Sequence, residues 1–265
     1  MYKNYQLGWL YFKYRLKALN GKGHGTHSPF VYTFIREVLN DKRKFYCYSG
    51  IEFLRRQLLA DKKKIVVEDF GAGSKLNKTK ERTIAAIAYS SLKPKKYAQL
   101  LFRMVNYYQP KTIVELGTSL GITSSYLASG NTNATVYTFE GSSSVAIKAK
   151  ENFTALKLEN IDLTVGNFDD TLSAKMAEMN TIDFAFLDGN HRYEPTVNYF
   201  EQILSKSNDD TIVILDDIHW SKEMEEAWAY VQNNPRVTTA IDLFFIGVVF
   251  FRKEFKNKQL FVIKY

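Results

Sequence analysis

From residue 95 onward the chain repeats one rhythm: a short apolar run, a turn, then an amphipathic stretch. The runs are "KTIVEL", "TVYTFE", "IDLTV", "IDFAFLD" and "TIVILDD". Apolar runs of strand length, each followed by helical periodicity, specify parallel strands joined by crossover helices. The spacing predicts helices from about Thr123, Ser143, Pro195 and Glu223. The end breaks the rhythm, because "VTTAIDLFFIGVVFF" and "QLFVIKY" leave little room for helices between strands. The expected fold class is therefore α/β: a doubly wound, mostly parallel seven-stranded sheet closed by an antiparallel edge strand.

Before residue 95 the pattern is helical. Residues 7–19 carry a Leu/Trp/Tyr/Phe stripe on a basic background. "THSPFVYTFIREVLN" has Ser28 at the N-cap position and Pro29 at the first helical position. A third helix is expected over Ile51–Leu59. These features predict a helical N-terminal segment (1–95), which caps the substrate site or mediates dimerisation, followed by the main domain (96–265). The stripe on the first helix fits packing within the domain or against a second subunit in a homodimer. A membrane-surface helix is the competing reading.

Hydrophobic residues make up 45% of the chain, enough for a sizeable core and against wholesale disorder. The single cysteine, Cys47, excludes an internal disulfide framework and a cysteine-based zinc cluster, and it fits a reducing cytoplasm. No stretch approaches the ~18 apolar residues of a membrane span. The N-terminus has neither the apolar region nor the cleavage site of a signal peptide. A soluble cytoplasmic protein is expected. The net charge of +8 raises nucleic acid as a partner. However, the basic runs at Asp61–Lys64 and Leu92–Lys96 are short and lack an RNA-reading motif, so solvated surface is the favoured reading.

Two segments compete as glycine loops for a cofactor, "VVEDFGAGSK" from Val66 and "IVELGTSLG" from Ile113. A cofactor with a ribose needs a further strand, roughly 20 residues on, that ends in an acid for the ribose hydroxyls. Glu115 is followed by "ATVYTFE", which ends at Glu140. After Asp69 comes "KTKERTIAAIAYSSLKPKK", read as having no strand and no terminal acid. The Glu115 loop is preferred. Its glycines, Gly117 and Gly121, do not form G-x-G-x-x-G, and a carboxylate two residues ahead of them suits a cationic cofactor better than a pyrophosphate.

"VELGTSLGITSSYLA" with the following "FEGSSS" resembles the class I S-adenosylmethionine-dependent methyltransferases. It is most similar to the small-molecule O-methyltransferases of the catechol and macrolide-sugar type. The resemblance covers about residues 95–250 and implies a Rossmann-like fold. It also implies that Glu115, Gly117, Thr118, Ser119 and Gly121 line the methionine and ribose part of S-adenosylmethionine. Glu140 would bind the ribose hydroxyls beside Gly141 and Ser142, while Asn167, Phe168 and Asp169 would wrap the adenine.

The fourth and fifth strands of the series end in "AFLDGNHRYEP" and "VILDDIHW". Asp188, Asp216 and Asp217 there suit a hard divalent ion such as Mg²⁺ or Ca²⁺. The alternative is that they cap helices or bind hydroxyls. Enzymes of the catechol type hold an ion with an Asp and an Asp-Asn pair; this chain has Asp-Asp, and no lysine stands at the catalytic lysine position. His191 is the expected general base. His219 is expected to orient substrate or bind metal, and Asp188 is counted with both the catalytic and the cofactor residues. Trp220 is a candidate wall of the acceptor pocket. Asp69, Ser74 and Lys75 are read as part of a lid that His24 and His27 could join.

The expected function is S-adenosylmethionine-dependent O-methylation of a small-molecule hydroxyl, with a divalent cation such as Mg²⁺ as a candidate helper. The competing readings are methylation of RNA or protein, and a binding module that keeps the fold without turnover. "LDGNHRYEP" stands where base methyltransferases carry an Asn-Pro-Pro-Tyr-like motif, which disfavours a nucleobase acceptor. A nicotinamide-dependent dehydrogenase fails on the loop pattern.

Overall fold

Every apolar run of the repeating segment is a strand, and the amphipathic stretches between them are helices. The structure, a computed structural model, describes residues 1–69 and 78–265. The first elements are α1 (Asn4–Lys17), α2 (Pro29–Thr33) continuing into a π-helical turn (Phe34–Leu39), and α3 (Tyr48–Ala60). The pair β1 (Lys64–Asp69) and β2 (Lys78–Thr83) precedes α4 (Ile84–Ser91) and α5 (Lys95–Tyr108). There follow β3 (Thr112–Leu116), α6 (Ile122–Gly130), β4 (Thr135–Glu140), α7 (Ser143–Ala155), β5 (Ile161–Val165) and α8 (Phe168–Ala177). The chain continues through β6 (Ile182–Leu187), α9 (Tyr193–Ser205), β7 (Ser207–Asp216), α10 (Lys222–Asn233), β8 (Thr239–Asp242), β9 (Ile246–Phe250) and β10 (Gln259–Val262). The strands make an eight-stranded, mostly parallel sheet and a separate antiparallel pair, so the expected α/β class holds.

The chain forms two compact units. The continuous one, Lys42–Met179, contains the parallel series β3-β4-β5, with Glu115 opposite Thr138 and Glu140 opposite Val165. Its helical core packs Ile51, Leu54 and Leu58 of α3 against Ile84 and Ile87 of α4, Phe102 of α5, and Ile122 and Tyr126 of α6. Fully burying side chains of this size contributes about 1.5–3 kcal/mol each. β1 and β2 pair antiparallel over their whole lengths. The expectation of no strand after Asp69 is therefore corrected: "KTKERT" is β2. It escapes a hydrophobicity reading because it has no apolar residue, and its place is set by backbone pairing with β1. Of the expected lid, Ser74 and Lys75 lie outside the described residues.

The other unit joins Met1–Asp41 to Asn180–Tyr265 and orders its strands β10-β8-β9-β7-β6. Here the expected edge is corrected. β9 is antiparallel to both β7 and β8 and lies between them, while β10 runs parallel to β8 and forms the outer edge. The turn between β8 and β9 is too short for a crossover helix, so the two form a hairpin; β10 supplies the eighth strand. Ser28 caps α2 as expected, its hydroxyl accepting from the Val31 N–H with Pro29 in the first turn. The inner face of α1 buries Tyr14 and Ala18 against Phe244, with Leu7, Leu10 and Tyr11 around them. The Tyr14 hydroxyl donates to the Ile263 carbonyl, and Leu19 bridges to Ile263, which ties α1 to the segment after β10.

Candidate functional site

In the Lys42–Met179 unit, β3 delivers Glu115 to the start of the glycine loop with its side chain wholly buried. Such a carboxylate needs donors. Its Oε2 accepts from the Ser124 hydroxyl on α6 and from Thr138 Oγ1 on β4 at 2.6 Å. Thr138 Oγ1 also lies 2.6 Å from Thr118 Oγ1. The loop itself turns sharply. Gly117, Ser119 and Gly121 have φ of +104°, +47° and +78°, and the Gly117 and Thr118 N–H groups both donate to the Phe139 carbonyl at 3.1 and 3.0 Å. Gly121 is required on two counts. Its φ is left-handed, and a Cβ there would lie 2.4 Å from the Phe153 ring. Thr138 and Ser124, the partners of Glu115, were missed in the sequence. Thr138 was findable, since it stands opposite Glu115 once β3 and β4 pair in parallel.

Glu140, at the end of β4, closes onto this loop. Its Oε2 accepts from the Ser119 N–H at 2.8 Å and its Oε1 from the Ser142 N–H at 2.9 Å. Burial raises its proton affinity above the ordinary carboxylate range, although the N–H groups of Ser142, Ser119 and Gly141 work against that rise. Ser142 accepts from the Glu68 N–H of β1 at 3.2 Å, so its hydroxyl faces the strand pair. Ser119 Oγ meets Ser91 Oγ, at the end of α4, at 2.6 Å. After β5, Asn167 caps α8, its Oδ1 accepting from the Asp169 N–H at 3.2 Å; Phe168 and Asp169 open that helix. Gly166, one residue before, donates its N–H to the Glu140 carbonyl at 2.9 Å, so the ends of β4 and β5 are adjacent.

This donor set fits S-adenosylmethionine. Two carboxylates flank the turn, and neither 115–121 nor 140–144 contains a Lys or Arg. A pyrophosphate would meet like charge there, whereas a cationic amino acid and a ribose diol would not. With about four lone-pair sites and three backbone N–H partners, the Glu140 carboxylate retains acceptor capacity for a ligand hydroxyl.

In the other unit, Asp188 follows β6 and Asp216 ends β7, with Asp216 almost fully buried. His191 joins them: its Nε2 lies 3.5 Å from Asp188 Oδ1. One ligand atom from each of Asp188, His191 and Asp216 lies within 4.8 Å of the others, a spacing that could hold a metal ion. Asp217, expected as the third ligand, is not part of this group. The backbone turns left-handed at Asp217 (φ +50°), and its N–H donates to the Phe245 carbonyl at 2.7 Å.

His219 has other partners. Its Nδ1 lies 3.0 Å from Glu225 Oε1 and its Nε2 lies 2.9 Å from Asp242 Oδ2, while the ring stacks on Phe244 at 5.1 Å. Burial alone would disfavour its charge, but the hydrogen bonds and charges of Asp242 and Glu225 together hold its pKa above the usual histidine value. With both nitrogens engaged, His219 links β8 to α10 and has no nitrogen left for a metal or substrate. Tyr2 extends the link, donating to Glu225 Oε2 at 2.6 Å; that bond, foremost, pushes the phenol up to about 12. Trp220 is partly exposed, and its carbonyl accepts from the Tyr2 N–H at 2.9 Å. His24 and His27 are exposed on the connection ahead of α2.

Residues 114–218 match the family model described as a methyltransferase domain. Among solved structures, the chain is similar to an O-methyltransferase from Bacillus cereus in complex with S-adenosylhomocysteine, at 18% identity and a TM-score of 0.57, covering 83% of this chain and 97% of that one. It is also similar to a methyltransferase from Podospora anserina bound to S-adenosylhomocysteine, at 13% identity and a TM-score of 0.59, covering 86% and 97%. An O-methyltransferase from Streptomyces achromogenes involved in tomaymycin synthesis, in complex with S-adenosylmethionine, shares 17% identity with a TM-score of 0.54 over 61% and 82%. At these identities the likeness is one of fold. No curated protein matches the chain in sequence.

Proposed function

We propose that this chain transfers a methyl group from S-adenosylmethionine to a hydroxyl oxygen of a small molecule. The observation that carries the reading is the junction of the glycine loop with Glu140, where one carboxylate accepts from Ser119 and Ser142 N–H groups at 2.8 and 2.9 Å. This holds an acid at a strand end beside a sharp, cation-free turn. The cofactor, when bound, supplies an electrophilic methyl on a sulfonium. Glu115, Gly117, Thr118, Ser119 and Gly121 take its methionine and ribose part, Glu140 accepts from the ribose hydroxyls, and Asn167, Phe168 and Asp169 border the adenine. Gly141 and Ser142 then hold Glu140 in place through the backbone.

The acceptor chemistry falls to Asp188, His191 and Asp216. His191 Nε2 lies 3.5 Å from Asp188 Oδ1, and a proton kept on that nitrogen would leave Nδ1 to take the acceptor's proton. When bound, the cofactor would supply the methyl group and keep the C–S bonding pair on its sulfur, while His191 would hold the proton released by the acceptor. A second reading follows from the close approach of the three ligand atoms: they could hold a divalent cation such as Mg²⁺. His191 would then be a ligand, and the ion would make the acceptor hydroxyl more acidic. A chelator separates the two, since only the second loses activity and regains it with Mg²⁺. A small-molecule acceptor is favoured over nucleic acid because no base-reading motif follows β6.

The test is a calorimetric titration with S-adenosylhomocysteine, with NAD as control and Glu140→Ala as comparison. Micromolar affinity weakened at least tenfold by the substitution, about 1.4 kcal/mol, supports the reading. Absent binding, or tighter binding of NAD, overturns it in favour of a module without turnover.

A further inference from the structure

α1 is apolar on two faces. Leu7, Leu10, Tyr11 and Tyr14 turn inward. On the outside, Tyr5, Trp9, Phe12 and Leu16 are exposed by 71%, 57%, 51% and 70%. At about 100° per residue, these four positions fall within an arc of roughly 60°, a single stripe along the helix. The Trp9 and Phe12 rings stack with centroids 5.6 Å apart, and Lys13 Nζ sits 5.3 Å from the Trp9 ring. On the same projection Lys13 and Arg15 lie about 80° to either side of the stripe, and Lys17 lies beyond Lys13. The charge is one-sided over the whole segment. Residues 1–36 contain six Lys and Arg and no Asp or Glu; the first acid is Glu37.

We infer that the outer face of α1 binds an anionic lipid surface. Lone exposed apolar side chains need no explanation, but an aligned row of them exposes a cost that a partner must relieve. The flanking cations decide which partner. A second copy of this chain would bring the same basic helix against this one, and the like charges of Lys13, Arg15 and Lys17 would meet around the seam. Anionic headgroups are complementary to it. The aromatic and leucine side chains would enter the headgroup–acyl boundary while Lys13, Arg15 and Lys17 reach up to the phosphates. Such a helix lies in the interface plane. This differs from spanning, and no helix among the described residues is long and apolar enough to cross a membrane. The inference does not depend on the catalytic reading, because α1 contributes no residue to that site.

The experiment is co-sedimentation of the full chain with phosphatidylcholine vesicles, with and without phosphatidylserine, read alongside tryptophan emission. The expected result is binding to the anionic vesicles only, weakened by salt, with a blue shift that is absent in Trp9→Ser. Trp9→Ser combined with Phe12→Ser should weaken partitioning at least tenfold. Lys13→Ala and Arg15→Ala, which leave the apolar row intact, should each weaken it about fivefold. Equal partitioning of either set of variants and the parent protein would overturn the inference. So would an absence of anionic binding at low salt. A concentration-dependent dimer that dissociates on Trp9→Ser, with no vesicle binding, would also overturn it and assign the stripe to a second copy.

Discussion

Replacing Glu140 by glutamine keeps the side chain's shape and removes its charge. The carboxylate accepts one N–H at each oxygen, from Ser119 and from Ser142. A glutamine has one carbonyl oxygen, so one N–H keeps an acceptor and the other faces an NH₂. One charge-assisted hydrogen bond is lost, worth roughly 1.5–3 kcal/mol, and a donor–donor contact replaces it. Removing the buried charge also relieves its desolvation, which offsets part of this, and a net loss of about 1 kcal/mol or less is expected in denaturant unfolding at neutral pH. Cofactor affinity should fall further, because the surviving oxygen can no longer serve both a backbone N–H and a ribose diol. At least a tenfold rise in Kd for S-adenosylhomocysteine is expected by calorimetry. The pH dependence has a definite sign. The raised folded pKa means that the native protein holds this proton more tightly than the unfolded chain does. Stability from the protonated form is therefore greatest below the unfolded pKa and fades as pH rises through the folded value. Ribose binding needs the anion and should strengthen over that same rise. A glutamine variant with lower stability but unchanged affinity would refute the ribose role, and one unchanged in both would refute the loop geometry itself.

Gly121→Ala should destabilise by roughly 2–4 kcal/mol, combining left-handed strain with overpacking against Phe153. Phe153→Leu in that background should recover only the overpacking part; full recovery in denaturant melts would mean the φ of Gly121 carries no strain. Dialysis against a chelator followed by Mg²⁺ repletion is expected to change turnover if Asp188, His191 and Asp216 hold an ion; unchanged turnover leaves His191 as base, and His191→Ala should then lower kcat by about 10²–10⁴-fold. His219→Gln should cost more stability at pH 6 than at pH 9. The raised pKa gives stability that is full below the unfolded value and lost as pH rises through the folded one. Equal losses at both pH values would show that His219 is not held as a cation.

The strands were readable where burial dictates sequence. β3, β6 and β7 bury most of their side chains and β4 buries half, so they appear as apolar runs, and the acids near their ends stand out against that background. β2 was hidden because all of its residues are polar; its stabilisation is hydrogen bonding to β1, which leaves no trace in hydrophobicity. The place of β10 beside β8, and of β9 between β7 and β8, depends on pairings distant in sequence that no local pattern encodes. Within the site, Glu115 and Glu140 could be picked out by spacing. Thr138 becomes visible only after β3 and β4 are paired in parallel, and Ser124 could not be picked out, because a hydroxyl is informative only once a buried carboxylate faces it. His219 illustrates the converse. Its position beyond Asp217 suggested chemistry, yet Asp242, 23 residues further on, claims one of its nitrogens.

The seam between α1 and the segment after β10 has a consequence in time. Tyr14 and Leu19 find their partners at Ile263, so residues 1–41 cannot complete their unit until the ribosome has passed that residue. At ~5–20 residues per second, the wait is on the order of ten seconds or more. The stretch Lys42–Met179 is contiguous in sequence and forms a compact unit, so it is free to finish first. During that interval both apolar faces of α1 stand in water on a strongly basic segment. During synthesis the exposure of α1 therefore outlasts that of the contiguous unit that follows it, and aggregation in that interval would begin on residues already long out of the ribosome.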